Sequence, residues 1–338
     1  MRECFWVVWI AGVCLGATDD SSEDWLMILC VGPTPAVQRV MVFPSVEIGG
    51  VNRAVRTLES VAGKSVNVAK VLHALDCSPL ALGFAGGTRG EFLLGELGKL
   101  GVAVDFVRVE GETRECVTVI DEAGGVQTEL VEESRSVEVE AYERLFERVR
   151  HHVGKARGLV LSGTLTAGGP EDFYERCVRL GHENSLLTVV DAKGVVLERA
   201  LAERPGLVKP NVSELAVTVG RVLDDERAVM AAMRELGERG AERVVVTAGG
   251  GPVLAWDRDQ VWRVSVPSVE VVNPIGSGDS FTAALVWRLL SGDDLGRACC
   301  WGAAAGVANA MEWMAGEVQR AGVERWMAEV EVEAVQGV

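Results

Sequence analysis

The sequence predicts a single α/β domain built on a mostly parallel sheet with helices on both faces. Three observations predict it. Short apolar strand segments alternate with segments of helical spacing from Met27 onward, 48% of the 338 residues are hydrophobic, and no repeat or low-complexity linker divides the chain. The 39 glycines follow no collagen period and therefore mark turns and close backbone approaches.

The first half begins with an apolar strand at 27–31, which opens the predicted domain. The apolar spacing then predicts helices at 65–75 and 91–100, strands at 80–84 and 102–109, and a turn at Gly86-Gly87, with Gly101 as a helix C-cap. Residues 116–120 and 126–131 surround a glycine turn as a hairpin. Together with 40–46 they predict a small antiparallel sheet, followed by a solvated acidic helix at 137–149.

The second half continues in strand–helix units and ends in two long apolar helices. The predicted strands are 158–161, 187–190, 207–208 and 243–247, with a hairpin formed by 253–256 and 261–264. The predicted helices are 170–180, 195–202, 226–239, 278–290 and 295–311.

Residues 1–26 are interpreted separately from the domain predicted at 27–330. The apolar run 5–16 is too short to span a bilayer comfortably, and 19–24 is polar and linker-like. We expect an N-terminal appendage that packs little against the core. A signal-peptide core with a poor cleavage site near Ala17 and a membrane anchor are the alternatives.

Charge and cysteine usage limit the partners that we expect. The formal net charge is −16 and no basic stripe occurs, which argues against nucleic acid and anionic membranes and favours a small-molecule ligand whose charge is met locally. The eight cysteines form no C-x-x-C pattern and the four histidines form no H-x-x-x-H pattern, so no structural zinc is expected. This usage favours a reducing, cytoplasmic compartment.

The strongest local pattern is the glycine-rich turn Gly276-Ser277-Gly278, which leads directly into a long apolar helix. The unpaired amides at such a helix start bind anions, and glycine lets a ligand approach the backbone. Asp279 would repel a bound phosphate, so it makes sense as the base that takes a proton from an attacking hydroxyl. The alternative is that Asp279 only caps the helix. No G-K-[ST] follows the glycines, so the turn is not a Walker A loop.

Several motifs in order resemble those of PfkB-type, ribokinase-like carbohydrate kinases, in the branch of 1-phosphofructokinases and tagatose-6-phosphate kinases. The stretch N-P-I-G-S-G-D-S from Asn273 resembles the family's C-terminal signature, and A-G-K-S-V-N-V-A-K from Ala62 its N-terminal signature. Further matches run from residue 27 to about 318: T-R at 113–114, L-S-G-T-L at 161–165, V-K-P-N at 208–211 with Glu214, and G-V-A-N-A at 306–310.

The resemblance implies a ribokinase-like fold with a small β lid from about 40–46 and 116–131, ATP as co-substrate, and Mg²⁺. It implies Asp279 as the catalytic base and the amides of Gly276, Ser277 and Gly278 as the anion hole. It places Gly63, Lys64, Asn67, Arg114 and Gln38 at the sugar phosphate. It places Lys209, Asn211, Thr247, Gly249 and Asn309 at the nucleotide, and Asn211 with Glu214 around magnesium indirectly.

Four positions depart from the family pattern: Gln38 in place of an aspartate, Ser65 in place of glycine, Cys116 near an expected asparagine, and Pro252 in place of glycine. The sugar pocket therefore differs most. Structural alternatives stay open for Lys64 as a surface residue, Arg114 as a strand-edge charge and Glu214 as a first-turn helix charge.

The leading hypothesis is an ATP-dependent kinase of a ketohexose phosphate, either fructose 1-phosphate or tagatose 6-phosphate, whose lid closes to exclude water. A kinase of an unphosphorylated sugar or nucleoside and a non-catalytic sugar-phosphate sensor are the alternatives. A homodimer is compatible with the sequence.

Overall fold

The structure is a computed structural model that describes residues 27–258 and 260–335. The first nine strands are β1 Met27–Val31, β2 Ala36–Phe43, β3 Arg56–Ala62, β4 Ser78–Leu82, β5 Phe84–Ala85, β6 Ala103–Val104, β7 Val107–Arg108, β8 Arg114–Asp121 and β9 Val126–Val131. The remaining strands are β10 Gly158–Ser162, β11 Leu187–Asp191, β12 Leu207–Val208, β13 Arg243–Val246, β14 Val253–Asp257, β15 Gln260–Ser265 and β16 Glu331–Val335.

The helices separate these strands along the chain. They are α1 Lys64–Ala74, α2 Gly87–Lys99, α3 Val139–Val153, α4 Phe173–Glu183, α5 Val195–Leu201, α6 Val212–Val219, α7 Glu226–Glu238, α8 Ser277–Leu290, α9 Leu295–Ala310 and α10 Arg320–Met327.

A ten-stranded sheet forms the centre, in the order β16-β15-β14-β13-β12-β11-β10-β1-β4-β6. Its strands run parallel from β6 to β13, and β14, β15 and β16 join antiparallel at the other edge. Alternate residues of β1 enter two separate cores, Ile28 on one face and Leu29 on the other. Helices α1, α8 and α9 cover the first face, while α3, α4 and α7 cover the second. The predicted α/β class with a mostly parallel, doubly covered sheet is confirmed.

A second sheet of four strands, in the order β3-β2-β8-β9, forms the lid. Strands β2 and β8 are parallel, with Gln38 opposite Cys116, and the other two pairs are antiparallel, so the sheet is mixed and the prediction of an antiparallel sheet was wrong. The inner face carries Val40, Val42 and Ile120, which pack against Met314 of the segment that follows α9. The lid therefore packs on the body through this small apolar cluster and through Val61 of β3, which belongs to the first of the two cores.

The structure shifts some predicted elements and adds others. Strand β2 covers 36–43 instead of 40–46, and its partner β3 was not predicted because exposed polar residues alternate through it. The segment 102–109 forms two short strands, β6 and β7, in different sheets, because the chain leaves the central sheet between them. Helices α6 and α10 and strand β16 were also missed.

The predicted appendage at 1–26 lies outside the described residues, so its packing stays a prediction. Among residues 27–258 and 260–335, no helix is long and apolar enough to span a membrane. The six cysteines of this part, Cys30, Cys77, Cys116, Cys177, Cys299 and Cys300, are all buried, as expected for residues that pack as small hydrophobes.

Candidate active site

The candidate site lies where neighbouring parallel strands of the central sheet end. Asp191 is the last residue of β11, Lys209 follows β12, and Thr247 follows β13. The carboxyl ends of parallel strands share one edge of a sheet, which is where α/β folds place their ligands. Helix α1 and the glycine turn before α8 meet this edge from the other side, around a cavity of about 340 Å³.

Asp279 lies in the first turn of α8, and its side chain lines this cavity although only 7% of it is exposed. The Asn67 amide on α1 donates a hydrogen bond of 2.7 Å to Oδ2 of Asp279. Burial raises the pKa of the Asp279 carboxyl to about 6, with Lys64 opposing the rise and Asp191 adding to it. The carboxylate is thus oriented by one neighbour and is basic enough to accept a proton near neutral pH.

The turn before α8 depends on glycine at Gly276, which has a left-handed backbone with φ of 87°. A Cβ there would lie 2.7 Å from the Cβ of Ala315, so a side chain would push the neighbouring segment away. Within the described chain, the amides of Gly276 and Gly278 have no hydrogen-bond acceptor, while the Ser277 amide donates to the Pro274 carbonyl at 3.2 Å. Two of the three amides predicted for the anion hole are therefore available to an anion.

A network of buried charges lies beside the turn. Asp191 accepts from Lys64 at 2.7 Å and is 3.0 Å from the Lys209 ammonium. Burial alone would raise the pKa of the Asp191 carboxyl, but the two ammonium groups hold it down at about 2. Lys64 also donates to Glu214 at 3.3 Å, and these carboxylates keep the pKa of the Lys64 ammonium above its usual range despite burial. Asp191 and Lys64 therefore both stay charged at neutral pH, and the ammonium groups of Lys64 and Lys209 are each paired with a carboxylate.

At the lid end of the cavity, several buried polar atoms lack a hydrogen-bond partner. The Gln38 side chain, 1% exposed, donates to the Thr118 hydroxyl at 3.2 Å, but its Oε1 has no partner. Arg114 donates to the Thr34 carbonyl at 3.0 Å, and its Nε has no partner. Oδ1 of Asn67 is likewise unpaired. Buried polar atoms of this kind cost free energy unless a ligand satisfies them, so this end is suited to bind hydroxyl groups and an anion.

A second cavity, of about 460 Å³, lies on the other side of the glycine turn. Asn211, Thr247 and Gly278 line both cavities, so the two meet at these residues. The wall of the second cavity is mostly apolar, with Gly249 and Gly250 at one end and Val253, Val266, Val269, Phe281 and Val307 along its length. Its shape and chemistry are suited to a flat apolar ring that carries phosphates toward the turn.

A family model described as pfkB family carbohydrate kinase matches residues 27–312, most of the chain. The chain belongs to the pfkB family of carbohydrate kinases. It is 29% identical to the tagatose-6-phosphate kinase of Staphylococcus epidermidis over 309 residues, which cover 90% of this chain and 99% of the relative. The family resemblance expected from the motifs is thus confirmed, and the chain is an ATP-dependent sugar kinase.

Two solved structures are similar over nearly their whole length. A protein from Thermotoga maritima described as a possible 1-phosphofructokinase has a TM-score of 0.85 at 25% identity, with 92% of this chain and 100% of that chain covered. Phosphofructokinase-2 from Escherichia coli, in complex with fructose-6-phosphate, has a TM-score of 0.80 at 27% identity, with coverage of 90% and 98%. These likenesses confirm the ribokinase-like fold.

Most residues predicted for this pfkB site line the two cavities together. Those at the first cavity are Gln38, Gly63, Lys64, Asn67, Arg114, Lys209, Asn211, Glu214, Thr247, Gly276, Gly278 and Asp279. Ser277 and Gly249 line the second cavity. Their roles in the reaction remain predictions.

Asn309, which the resemblance implies to lie near the adenine, is held behind the glycine turn, and its role at the nucleotide stays a prediction. Its side chain is fully buried and lines neither cavity. Its amide donates to the Ile275 carbonyl at 2.9 Å and to the Ser277 hydroxyl at 3.2 Å, so it supports the glycine turn from behind. The position inside an apolar helix could have indicated this, because apolar neighbours surround it in α9.

Two charged residues that line the first cavity were not predicted as functional. Asp191 joins lysines that are distant in sequence, and the only sequence signal is its place directly after an apolar strand. Glu129 of β9 lies at the cavity rim beside Arg114. The alternation of β9 indicates that it shares a face with the Thr118 side chain, but the sequence does not show that this face turns toward the cavity.

Proposed function

We propose that this pfkB kinase transfers the terminal phosphoryl group of ATP to a hydroxyl of a ketohexose phosphate and forms a ketohexose bisphosphate. The observation that carries the proposal is the meeting of the two cavities at Gly278, with the Asp279 carboxylate on one side only. A base on the acceptor side of an anion-binding turn fits a hydroxyl nucleophile in one cavity and a phosphoryl donor in the other.

In this proposal Asp279 removes the proton of the acceptor hydroxyl as its oxygen attacks the terminal phosphorus and ADP leaves. The amides of Gly276 and Gly278 stabilise charge on the transferred group, and so does the Lys209 ammonium, which lies close to Gly278. Asn67 keeps the base oriented. Because these groups are fixed before substrate binds, little reorganisation is needed in the reaction step.

The acceptor is proposed to carry a phosphate already, because Arg114 makes no ion pair in the described part of the chain and its Nε has no partner, although the Glu129 carboxylate lies nearby. A guanidinium suits bidentate contact with a phosphate. Lys64 contributes less than expected, since Asp191 and Glu214 already balance its charge. Relatives named tagatose-6-phosphate kinase and possible 1-phosphofructokinase support tagatose 6-phosphate and fructose 1-phosphate as the first acceptors to test.

The second cavity is proposed to hold ATP, with Thr247 and Gly249 near the phosphates and the apolar wall against the base. Magnesium fits the residues present only through water. Asn211 Oδ1 accepts from the Glu214 amide, Glu214 Oε2 accepts from the Asn211 amide, and Glu214 Oε1 accepts from Lys64, so each of these oxygens already has a donor within the protein. No cluster of three acidic, histidine or cysteine ligands occurs in the described residues. Bound there, Mg²⁺ would neutralise phosphate charge while keeping most of its waters.

Release of ADP measured against a panel of sugars and sugar phosphates tests the proposal. Turnover with a ketohexose phosphate well above turnover with free sugars or nucleosides is the expected result. Preference for an unphosphorylated sugar would instead favour the second kinase hypothesis, and binding of sugar phosphate without ADP release would favour a sensor.

A homodimer is proposed as the working assembly, in the cytoplasmic location expected from the cysteine pattern. The lid carries exposed aliphatic side chains at Ile48, Val51 and Leu130, which a second copy would cover. Analytical ultracentrifugation of the wild type and of Leu130→Asp checks this, and a wild-type sedimentation coefficient of a monomer at all concentrations would contradict it.

A further inference from the structure

Lys70, on the same helix as Lys64 and Asn67, is a buried cation that the reaction described above does not use. Its side chain is only 5% exposed. The ammonium donates at 2.7 Å to the Ala315 carbonyl and at 3.2 Å to the Val61 carbonyl near the end of lid strand β3. It therefore connects the lid to the segment after α9, and a buried charge is retained at considerable cost in desolvation.

That segment, residues 311–316, lies directly behind the glycine turn. The Cα of Ala315 would be 3.0 Å from a Cβ on Gly276, and the Gly316 amide donates to Asn309 at 2.7 Å. The Asn273 amide donates to the Trp313 carbonyl at 2.9 Å. The turn that presents the anion-binding amides is thus packed and hydrogen-bonded against this segment.

The same segment also contacts the lid and α1. Met314 packs with Val40, Val42 and Ile120 of the lid. Gly316 approaches Asn67, since a Cβ on Gly316 would lie 3.1 Å from the Asn67 Cα. Residues 311–316 therefore touch every part that must align: the lid, the glycine turn, and the helix whose Asn67 orients Asp279.

We propose that Lys70 is a positioning residue for phosphoryl transfer, whose ammonium holds the segment 311–316 behind the glycine turn and fastens it to the end of lid strand β3. The inference rests on the proposed function only where kcat is measured. The position of segment 311–316 against the glycine turn and the lid is a property of the fold and is measurable without turnover.

The surroundings of Lys70 make its charge sensitive to pH. Burial lowers the pKa of the Lys70 ammonium to about 8, and the nearby Glu317 carboxylate opposes the shift. Glu312 and His73 line the same surface cavity beside it. As pH rises through about 8 the ammonium loses its charge and donates weaker hydrogen bonds to the two carbonyls. The wild type should therefore lose kcat on the alkaline side.

Three variants test the inference: Lys70→Met, which removes the donor, Lys70→Arg, which keeps a cation at all accessible pH values, and Val71→Ala, a core substitution on the same helix. Lys70→Met should lower kcat by about 10²-fold, the cost of a displacement near 1 Å, with KM for both substrates nearly unchanged. Lys70→Arg should recover most of kcat and move the alkaline limb to higher pH. Val71→Ala should lower the melting temperature without lowering kcat.

Hydrogen exchange of the amides in 273–278 and 311–316 gives a readout that needs no activity. Faster exchange there in Lys70→Met, but not in Val71→Ala, is expected. Equal exchange in both variants would overturn the inference. If Lys70→Met fails to fold, the pH dependence of kcat decides: profiles of the wild type and Lys70→Arg that coincide from pH 7 to 10 would also overturn it. A wild type without ADP release would overturn the proposed function instead, and the exchange measurement would still decide the role of Lys70.

Discussion

The two ends of the first cavity differ in how their polar groups are satisfied. At the sheet edge, Asp279, Asp191 and Lys64 are each hydrogen-bonded to another side chain of the protein. At the lid, Gln38 and Arg114 each keep a buried polar atom without a partner. The groups proposed to act in the reaction are thus held in place by the protein, while the groups proposed to recognise the acceptor have polar atoms that only a ligand would satisfy.

This difference predicts which kinetic constant each end controls. Groups that are fixed in the free protein and act on the reacting atoms should affect kcat. Groups whose hydrogen bonds are completed on binding should affect KM, because they bind the ground state and the transition state alike.

The largest effect is expected from Asp279→Asn, which keeps the shape and the hydrogen bond from Asn67 but removes the base. We expect kcat to fall by about 10²–10⁴-fold, the usual span for a positioned general base. Nucleotide affinity, measured by titration, should persist or increase because a negative charge near the phosphates is gone. The control is Asp294→Asn at the N-cap of α9, where the side chain only accepts from the Arg297 amide. Equal activity of the two variants would show that Asp279 only caps helix α8 and is not the catalytic base.

The same variant should also be more stable than the wild type at neutral pH. The pKa of Asp279 rises to about 6 in the fold, so the folded state holds this proton more tightly than the unfolded chain. The stabilisation is fully present below about pH 4 and is lost as pH rises through about 6. Asp279→Asn should therefore raise the free energy of unfolding at pH 7.5 by up to about 3 kcal/mol, with little change at pH 4. Urea unfolding at both pH values checks this, and a gain independent of pH would contradict it.

At the lid end, Arg114→Ala should weaken the binding of a sugar phosphate by about 1.5–3 kcal/mol, which raises KM by about 12- to 160-fold. The effect on any unphosphorylated sugar should be small, because the lost contact is to the phosphate. Arg39→Ala is the matched control, since Arg39 is paired with Glu59 at the lid surface. An equal loss on both kinds of substrate would remove the assignment of Arg114 to the phosphate.

A smaller effect is expected from Gln38→Met, which removes the unpaired Oε1 and the bond to Thr118. One neutral hydrogen bond contributes about 0.5–1.5 kcal/mol, so KM for the acceptor should rise by about 2- to 12-fold with kcat nearly constant. Gln260→Met, the same change in strand β15, should leave both constants unaltered. A fall in kcat without a change in KM would contradict the prediction that the lid end controls KM and the sheet edge controls kcat.

The smallest effect is expected from removing residues 1–26. Strand β1 begins at Met27 and lies inside the central sheet between β10 and β4, so a chain that starts there should fold and retain kinase activity. Circular dichroism and ADP release compare it with the full chain. An insoluble or inactive product would show that the appendage hypothesis is wrong.

Contiguous patterns made the sheet edge easier to predict than the lid. The glycine turn and Asp279 occupy four successive residues, so the sequence alone predicts an anion site beside a carboxylate. Asp191 was missed because its meaning comes from Lys64, 127 residues away in sequence, and from Lys209. A local sequence pattern cannot indicate such a carboxylate, because the two ammonium groups that keep it ionised are distant in sequence.

The sequence analysis missed elements with a weak apolar pattern for a similar reason. Strand β3 has mainly exposed residues and gains its regularity from pairing with β2, not from its own side chains. Lys70 lies within the apolar spacing of α1, where a lysine suggests a solvent-facing position, yet tertiary packing buries it. Local preference fails at such positions because long-range contacts decide them.

The shared wall formed by Asn211, Thr247 and Gly278 has a thermodynamic consequence for the two ligands. In the proposed arrangement the two polyanions lie on opposite sides of Gly278 and repel each other, and the ammonium of Lys209 moderates that repulsion. Whatever factor the nucleotide imposes on the affinity for the acceptor, the acceptor must impose on the affinity for the nucleotide. If one substrate must bind before the other, that order reflects which cavity is open to solvent first. The effect of each ligand on the affinity for the other remains equal in both directions.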